Sequence, residues 1–238
     1  MSINLGNTNK TMTQPTIVVD LIFDTATRPS LGMLETMGHP RVGDEQRGED
    51  PTTAAFEEGG ADLLGCEKSL FPPSGTMCNQ IAFLVHCWLG DEIICAENAH
   101  VYGSEGGGAS ALAGAQFRPI ATETGIFSAR DVASGIRSPR PRSPRTRVVG
   151  IEQTTNRGGG QVRSRQELED VVRVACADGL SVHMEGASRL TSAASAAIHG
   201  HLLGACFVQL QEHAQQFHKS HYATLDRILT SSTHKGII

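Results

Sequence analysis

The chain has 238 residues, of which 39% are hydrophobic and 19% charged, with a net charge of −5. Such a length buries one large core or two small ones in an ordinary globular composition. The mild acidity supplies no field for nucleic acid, and no apolar run approaches the ~18 residues of a membrane-spanning helix, so neither partner is expected.

Residues 1–16 are polar, carry one lysine and lack the apolar stretch of a secretory signal, which predicts a disordered leader. From Ile17 to Pro51, Asp24-Thr25-Ala26-Thr27-Arg28-Pro29 and Val42-Gly43-Asp44 read as an arm built of turns. A helix is expected over Pro51–Leu64, with Thr52 or Thr53 as its N-cap. Leu70-Phe71-Pro72-Pro73-Ser74-Gly75-Thr76-Met77-Cys78-Asn79-Gln80 then reads as strand, turn and helix, an apolar strand end running through a proline-stiffened turn into a second helix. Ser74, Gly75 and Thr76 stand at its first positions. Helix N-termini carry unpaired N–H groups and about half a positive charge, glycine lets an anion approach, and hydroxyls add donors. Taken alone, the same residues would also suit an ordinary capped helix. Met77, Ile81, Leu84, Val85 and Trp88 recur at helical spacing and predict its buried face.

A strand is predicted at Glu92–Cys95, ending in the loop that carries His100. Gly106-Gly107-Gly108-Ala109 leads into a small-residue helix, a strand follows near Gln116–Ile120, and Ser128 with Asp131 forms a capping-box start. Arg137-Ser138-Pro139-Arg140-Pro141-Arg142-Ser143-Pro144-Arg145 is basic. Without interleaved aromatics to stack on bases, it reads as a solvated connector rather than an RNA-binding or phosphorylated segment. A β-α-β unit comes next: Val148–Ile151 ending at Glu152, a helix capped by Ser164 and Glu167 and stopped by Gly179, and Leu180–Met184 ending at Glu185. Leu168, Val171, Val172 and Ala175 mark the apolar face of that helix. Parallel sheets gather ligands at the carboxyl ends of their strands, which puts Glu152 and Glu185 where chemistry occurs.

Beyond Leu190 the alternation of strand and helix fades, and six of the ten histidines cluster between His199 and His234. His213, His218 and His221 do not fall on one helical face, so no metal site is expected. The six cysteines form no C-x-x-C pair and lie in apolar stretches, as reduced thiols of an intracellular protein do.

A phosphate cradle, an imidazole after a strand and a carboxylate at another strand's end are what pyridoxal phosphate needs. With these residues in view, the chain resembles the low-specificity threonine aldolases, β-eliminating lyases of the aspartate-aminotransferase superfamily. The likeness runs from about Val18 to Leu190. It rests on Asp24–Pro29, Val42–Asp44, Gly48-Glu49-Asp50-Pro51-Thr52, Ser74–Gln80, Ala99-His100-Val101-Tyr102 and Asn156-Arg157-Gly158-Gly159-Gly160. The resemblance implies an α/β fold with a mostly parallel sheet and helices on both faces, covering residues 17–190. On this resemblance the family's small C-terminal domain is expected to be missing, with residues 191–238 as a divergent tail.

It further implies a cytoplasmic, homodimeric or homotetrameric lyase that uses pyridoxal phosphate to cleave β-hydroxy-α-amino acids such as threonine. A non-catalytic remnant of that fold is the alternative. Ser74, Gly75 and Thr76 would hold the phosphate, and His100 would stack on the ring near the substrate hydroxyl. Glu185, in His183-Met184-Glu185-Gly186-Ala187-Ser188-Arg189, would face the ring nitrogen where the family has aspartate. Arg189 would bind the substrate carboxylate, displaced by one inserted residue. Lys235, in Ser232-Thr233-His234-Lys235-Gly236, faintly echoes the lysine segment that attaches the cofactor, although it stands late in the chain. Phe23, Arg47 and Thr155 replace a serine, a tyrosine and a histidine of the family pattern, the histidine being close to the substrate's hydroxyl. Threonine cleavage is therefore expected to be weak or absent.

Overall fold

The computed structural model describes residues 28–186, and the leader, Phe23, Arg189, Lys235 and the tail lie outside them. Two compact units divide at Thr52/Thr53.

In the first unit, α1 (Leu31–Gly38) starts where the Ser30 hydroxyl accepts from the Met33 N–H. A 3-10 turn (Glu45–Arg47) is capped by Asp44, whose carboxylate accepts from Gln46 N–H, and Gly48 leaves it in the left-handed region at φ 69°. A Cβ on Gly43 would collide with the Glu49 carbonyl, so the turn needs glycine there. Helix α2 (Pro51–Leu64) has the expected bounds, but Thr52 and Thr53 lie inside it. Pro51 opens it, because the first helical position has no N–H bond to lose. The Thr52 hydroxyl instead donates to the Arg41 carbonyl.

The second unit is built on four parallel strands in the order β2 (Gln116–Ile120), β1 (Glu92–Ala96), β3 (Thr146–Glu152), β4 (Ser181–Glu185). Registers Ile93↔Phe117, Ile93↔Val148 and Gly150↔His183 put those side chains on one face, and Ile94, Val149 and Val182 on the other. Helix α3 (Gly75–His86) covers the first face, where the buried Phe83 ring meets Phe117 and His183 edge-on. The second face carries α6 (Ala129–Gly135) and α7 (Arg165–Ala177). Gly135 abuts Ile94, and Leu168, Val171 and Ala175 are buried. The capping boxes at Ser128/Asp131 and Ser164/Glu167 are both formed, and Gly179 terminates α7 at φ 69°.

The face of α3 differs from the sequence expectation. Its buried residues are Asn79, Gln80, Phe83 and His86, whereas Met77 and Trp88 are exposed. Hydropathy spacing misplaces the face because the inward turn is polar, and Asn79 and Gln80 find partners in the site described below. The Arg137–Arg145 loop, expected to be solvated, is tied at both ends to the start of β1. Arg137 donates to the buried Glu92 at 2.8 and 3.0 Å, and Arg145 to Asp91 at 2.7 and 2.9 Å. Among the described residues no helix is long and apolar enough to cross a membrane.

Candidate active site

From β1 the chain passes through α4 (His100–Gly103) and α5 (Gly108–Leu112) outward to β2, and from β3 through α7 outward to β4 on the opposite side. The crevice between the carboxyl ends of β1 and β3 is thus the switch point at which such sheets take ligands. His100 follows β1, and Glu152 ends β3. They are joined directly: the His100 backbone N–H donates to Glu152 Oε1 at 2.6 Å, and Asn156 N–H reaches Oε2 at 3.3 Å.

Around the His100 ring stands a set of groups from four elements. Its Nδ1 lies 3.0 Å from Glu105 Oε1 and 3.6 Å from Glu185 Oε1. Glu105 is a buried carboxylate in the turn between α4 and α5, and two amides of α3 hold it: Asn79 Nδ2–H at 2.6 Å and Gln80 Nε2–H at 2.8 Å. Asn79 Oδ1 in turn accepts from His183 Nε2–H at 2.8 Å. Burial pushes the His183 imidazole down to about 4, so it serves as a neutral donor. Gly108 permits the close packing here, since a Cβ would sit 2.5 Å from the Gln80 amide carbon.

Glu185 is pushed up to about 7, chiefly by burial and then by the Glu152 carboxylate, with His100 acting against the rise. Its Oε2 is buried and has no hydrogen-bond partner. A cationic N–H donor placed against that oxygen would relieve both its desolvation and its repulsion from the neighbouring acids. His100, Glu105 and Glu185 also bring one ligand atom each within 4.8 Å of one another, a spacing compatible with a metal ion. Glu105, however, is already engaged by two amides and the imidazole.

Asn79 and Gln80 lie one turn into α3, which places the N-terminus of that helix at the same edge of the sheet. The Ser74 hydroxyl is the N-cap, accepting from Met77 N–H at 3.2 Å. Gly75 and Thr76 are exposed, with open space where a Gly75 side chain would be. Their amides precede the helical ladder and point at an incoming anion. Ser74, Gly75, Thr76, His100 and Glu185 therefore share one edge of the second unit, whereas Arg189 and Lys235 lie outside the described residues.

Thr155 does not stand free at this edge. It is fully buried, its hydroxyl accepts from Gln161 N–H at 3.1 Å, and its backbone closes the turn through Gln161 and Gly160. Arg163 ties the end of this loop to the segment before α6. It is fully buried, donates to the Phe127 and Gly125 carbonyls and lies 4.3 Å over the Phe127 ring. By sequence, Gly106–Ala109 reads only as the approach to a small-residue helix, and no role is assigned to Glu105, Asn79 or Gln80. Two adjacent amides on a helix that otherwise reads as apolar were the available signal.

The family model described as beta-eliminating lyase matches residues 20–237. The chain belongs to that family. It is 39% identical over 171 residues to the low specificity L-threonine aldolase of Escherichia coli O157:H7, covering 71% of this chain and 50% of that protein. It is 37% identical over 173 residues to low-specificity L-threonine aldolase 1 of Arabidopsis thaliana, covering 71% and 48%. The chain thus spans about half the length of these relatives. In fold it matches a Listeria monocytogenes protein assigned as an L-allo-threonine aldolase, with a TM-score of 0.55 and 24% identity, over 65% of this chain and 42% of that one. The family is one of pyridoxal-phosphate enzymes, and the unpartnered Glu185 oxygen and the open first turn of α3 fit the two charged ends of that cofactor.

Proposed function

We propose that the chain is the cofactor-binding part of a pyridoxal-phosphate lyase of the threonine aldolase type, acting on threonine or allo-threonine and releasing glycine and an aldehyde. The observation that carries this reading is Glu185, a half-buried strand-end carboxylate with one buried oxygen unpartnered, on the sheet edge that also carries His100 and the α3 N-terminus. Bound there, pyridoxal phosphate supplies an electron sink for the carbanion left when the Cα–Cβ bond breaks. The Gly75 and Thr76 amides and the hydroxyls of Ser74 and Thr76 hold the phosphate. Glu185 pairs with the ring nitrogen, and the flat imidazole of His100 lies against the ring and handles the substrate hydroxyl. In this reading Arg189 anchors the substrate carboxylate and Lys235 attaches the cofactor.

Reduced thiols at Cys66, Cys78, Cys87, Cys95 and Cys176 support a cytoplasmic location. A homodimer or homotetramer is supported by the exposed apolar residues Leu31, Leu34 and Met37 of α1 and Phe56 and Leu63 of α2.

A second reading, a cofactor-binding module without catalysis, is favoured by Thr155, whose closed position offers no group to the substrate. The test is to incubate the chain with pyridoxal phosphate and threonine and measure acetaldehyde and glycine. Borohydride reduction and mass spectrometry then locate any modified lysine. Aldehyde with a modified Lys235 supports the first reading. Bound cofactor without aldehyde supports the second, and no binding refutes both.

A further inference from the structure

The proposed reading leaves open what makes the His100 imidazole fit to take a proton. An isolated neutral imidazole exchanges between two tautomers, and only one presents a lone pair at Nε2. In this chain the choice is forced by a line of buried polar groups. Each link has a direction. His183 donates from Nε2 to Asn79 Oδ1, which turns the Asn79 amide nitrogen toward Glu105. Asn79 and Gln80 then occupy one oxygen each of that carboxylate, at 2.6 and 2.8 Å. With both of its oxygens accepting amide N–H groups, Glu105 acts as an acceptor, which assigns the group 3.0 Å from its Oε1 as the Nδ1–H of His100. Glu152 fixes the backbone by accepting the His100 N–H at 2.6 Å. Among the described residues, no group hydrogen-bonds Nε2.

We infer that Glu105, clamped by Asn79 and Gln80, is the positioning residue that holds His100 as the Nδ1–H tautomer, with Nε2 as the base facing the substrate hydroxyl. This deepens the reading given above and rests on it for the identity of the substrate. The proton transfer balances. With pyridoxal phosphate bound to supply the electron sink, Nε2 would take the β-hydroxyl proton, the O–H pair would become the second bond of the departing aldehyde's carbonyl, and the Cα–Cβ pair would be left to that sink. Thr155, closed into its turn, offers no second base, so among the described residues the role falls to His100.

The test has two arms. The first is 15N NMR of the imidazoles in the full chain without cofactor, with the His100 resonances assigned by their loss in His100→Gln. The expected pattern is a dominant Nδ1–H tautomer, with a slowly exchanging Nδ1 proton coupled to a carboxylate acceptor. A dominant Nε2–H form, or an averaged pair, would overturn the inference without any variant.

The second arm is Glu105→Gln, which keeps the size but puts an N–H where an acceptor is needed, with Glu105→Asp as the conservative partner. Glu105→Gln should give a tautomer mixture and lower kcat about 100-fold, within the usual span for a positioned base, with little change in cofactor affinity. Glu105→Asp should recover part of both signals. Equal loss in both variants, or loss of cofactor binding in parallel with rate, would mark Glu105 as merely structural and sink the inference. A locked Nδ1–H tautomer in a chain that cleaves no threonine would leave the clamp standing and refute the aldolase reading. Normal cleavage by Glu105→Gln would do the reverse.

Discussion

Gly108→Ala offers a clean perturbation, because two effects of opposite sign compete at one atom. Gly108 begins α5 and has no left-handed φ, so alanine is welcome to the backbone. Replacing glycine by alanine in a helix contributes up to about 1 kcal/mol of stability. Against this, the new Cβ would stand 2.5 Å from Gln80 Cδ and 2.6 Å from each end of its amide. A long side chain can usually swing away at small cost. Gln80 cannot, since it is buried and its Nε2–H is committed to Glu105 at 2.8 Å. Moving it forfeits a hydrogen bond to a charged group, worth about 1.5–3 kcal/mol, and the clash wins. Urea unfolding followed by circular dichroism should show a net destabilisation of about 1–2 kcal/mol at unchanged slope. In a Gln80→Ala background the obstruction is gone, and the same substitution should become neutral or stabilising. A Gly108→Ala chain more stable than the natural one would refute the clamp.

Other expectations follow from the same contacts. Phe83→Ala, at the fully buried junction of α3 with Phe117 and His183, should cost about 3–5 kcal/mol by the same unfolding measurement. Thr155→His restores the residue type of the family pattern, but it should destabilise the fold by about 1–3 kcal/mol without raising the rate. The site is fully buried and lies against Gly125 and Gly158, whose missing Cβ atoms would already meet Thr155. Thr76→Ala should weaken pyridoxal-phosphate binding, followed by calorimetry, by about 1–3 kcal/mol, and unchanged affinity would move the phosphate elsewhere.

Stability should also respond to pH through two groups at the end of β4. Glu185 is raised from 4.5 to about 7, so the folded state holds its proton longer and stability falls as pH rises through that window. His183 is lowered from 6.5 to about 4, so stability rises with pH between those values. The slopes oppose one another between pH 4.5 and 6.5, and Glu185→Gln should leave the His183 rise exposed. A falling profile in that variant would contradict the assignment.

The strands and capped helices were legible because their signals are local. Ser128 with Asp131 and Ser164 with Glu167 announce helix starts, Gly179 a stop, and β-branched runs the sheet. The glutamates at 152 and 185 were legible as strand ends, which topology turns into site positions. The clamp was not. Glu105 meets Asn79 across 26 residues and Gln80 across 25, and His183 meets Asn79 across 104, so no local pattern connects them. Hydropathy also misjudged α3, because a buried polar cluster reverses the rule that the apolar face points inward. Thr155 read as an active-site replacement from its place in the motif. Only the hydrogen bonds around it show that its hydroxyl serves the turn.

The most direct test is a crystal structure of the full chain with pyridoxal phosphate bound. The account predicts the phosphate within hydrogen-bond reach, ~2.7–3.2 Å, of the Gly75 and Thr76 amides, with the ring nitrogen facing Glu185 and His100 against the ring. The competing destination for a phosphate is the cleft of about 630 Å³ beside the opposite edge of the sheet, lined by Arg137, Arg140, Arg145 and Arg147. Cofactor held there, or anywhere out of reach of Glu185, would contradict the assignment of the carboxyl edge as the active site.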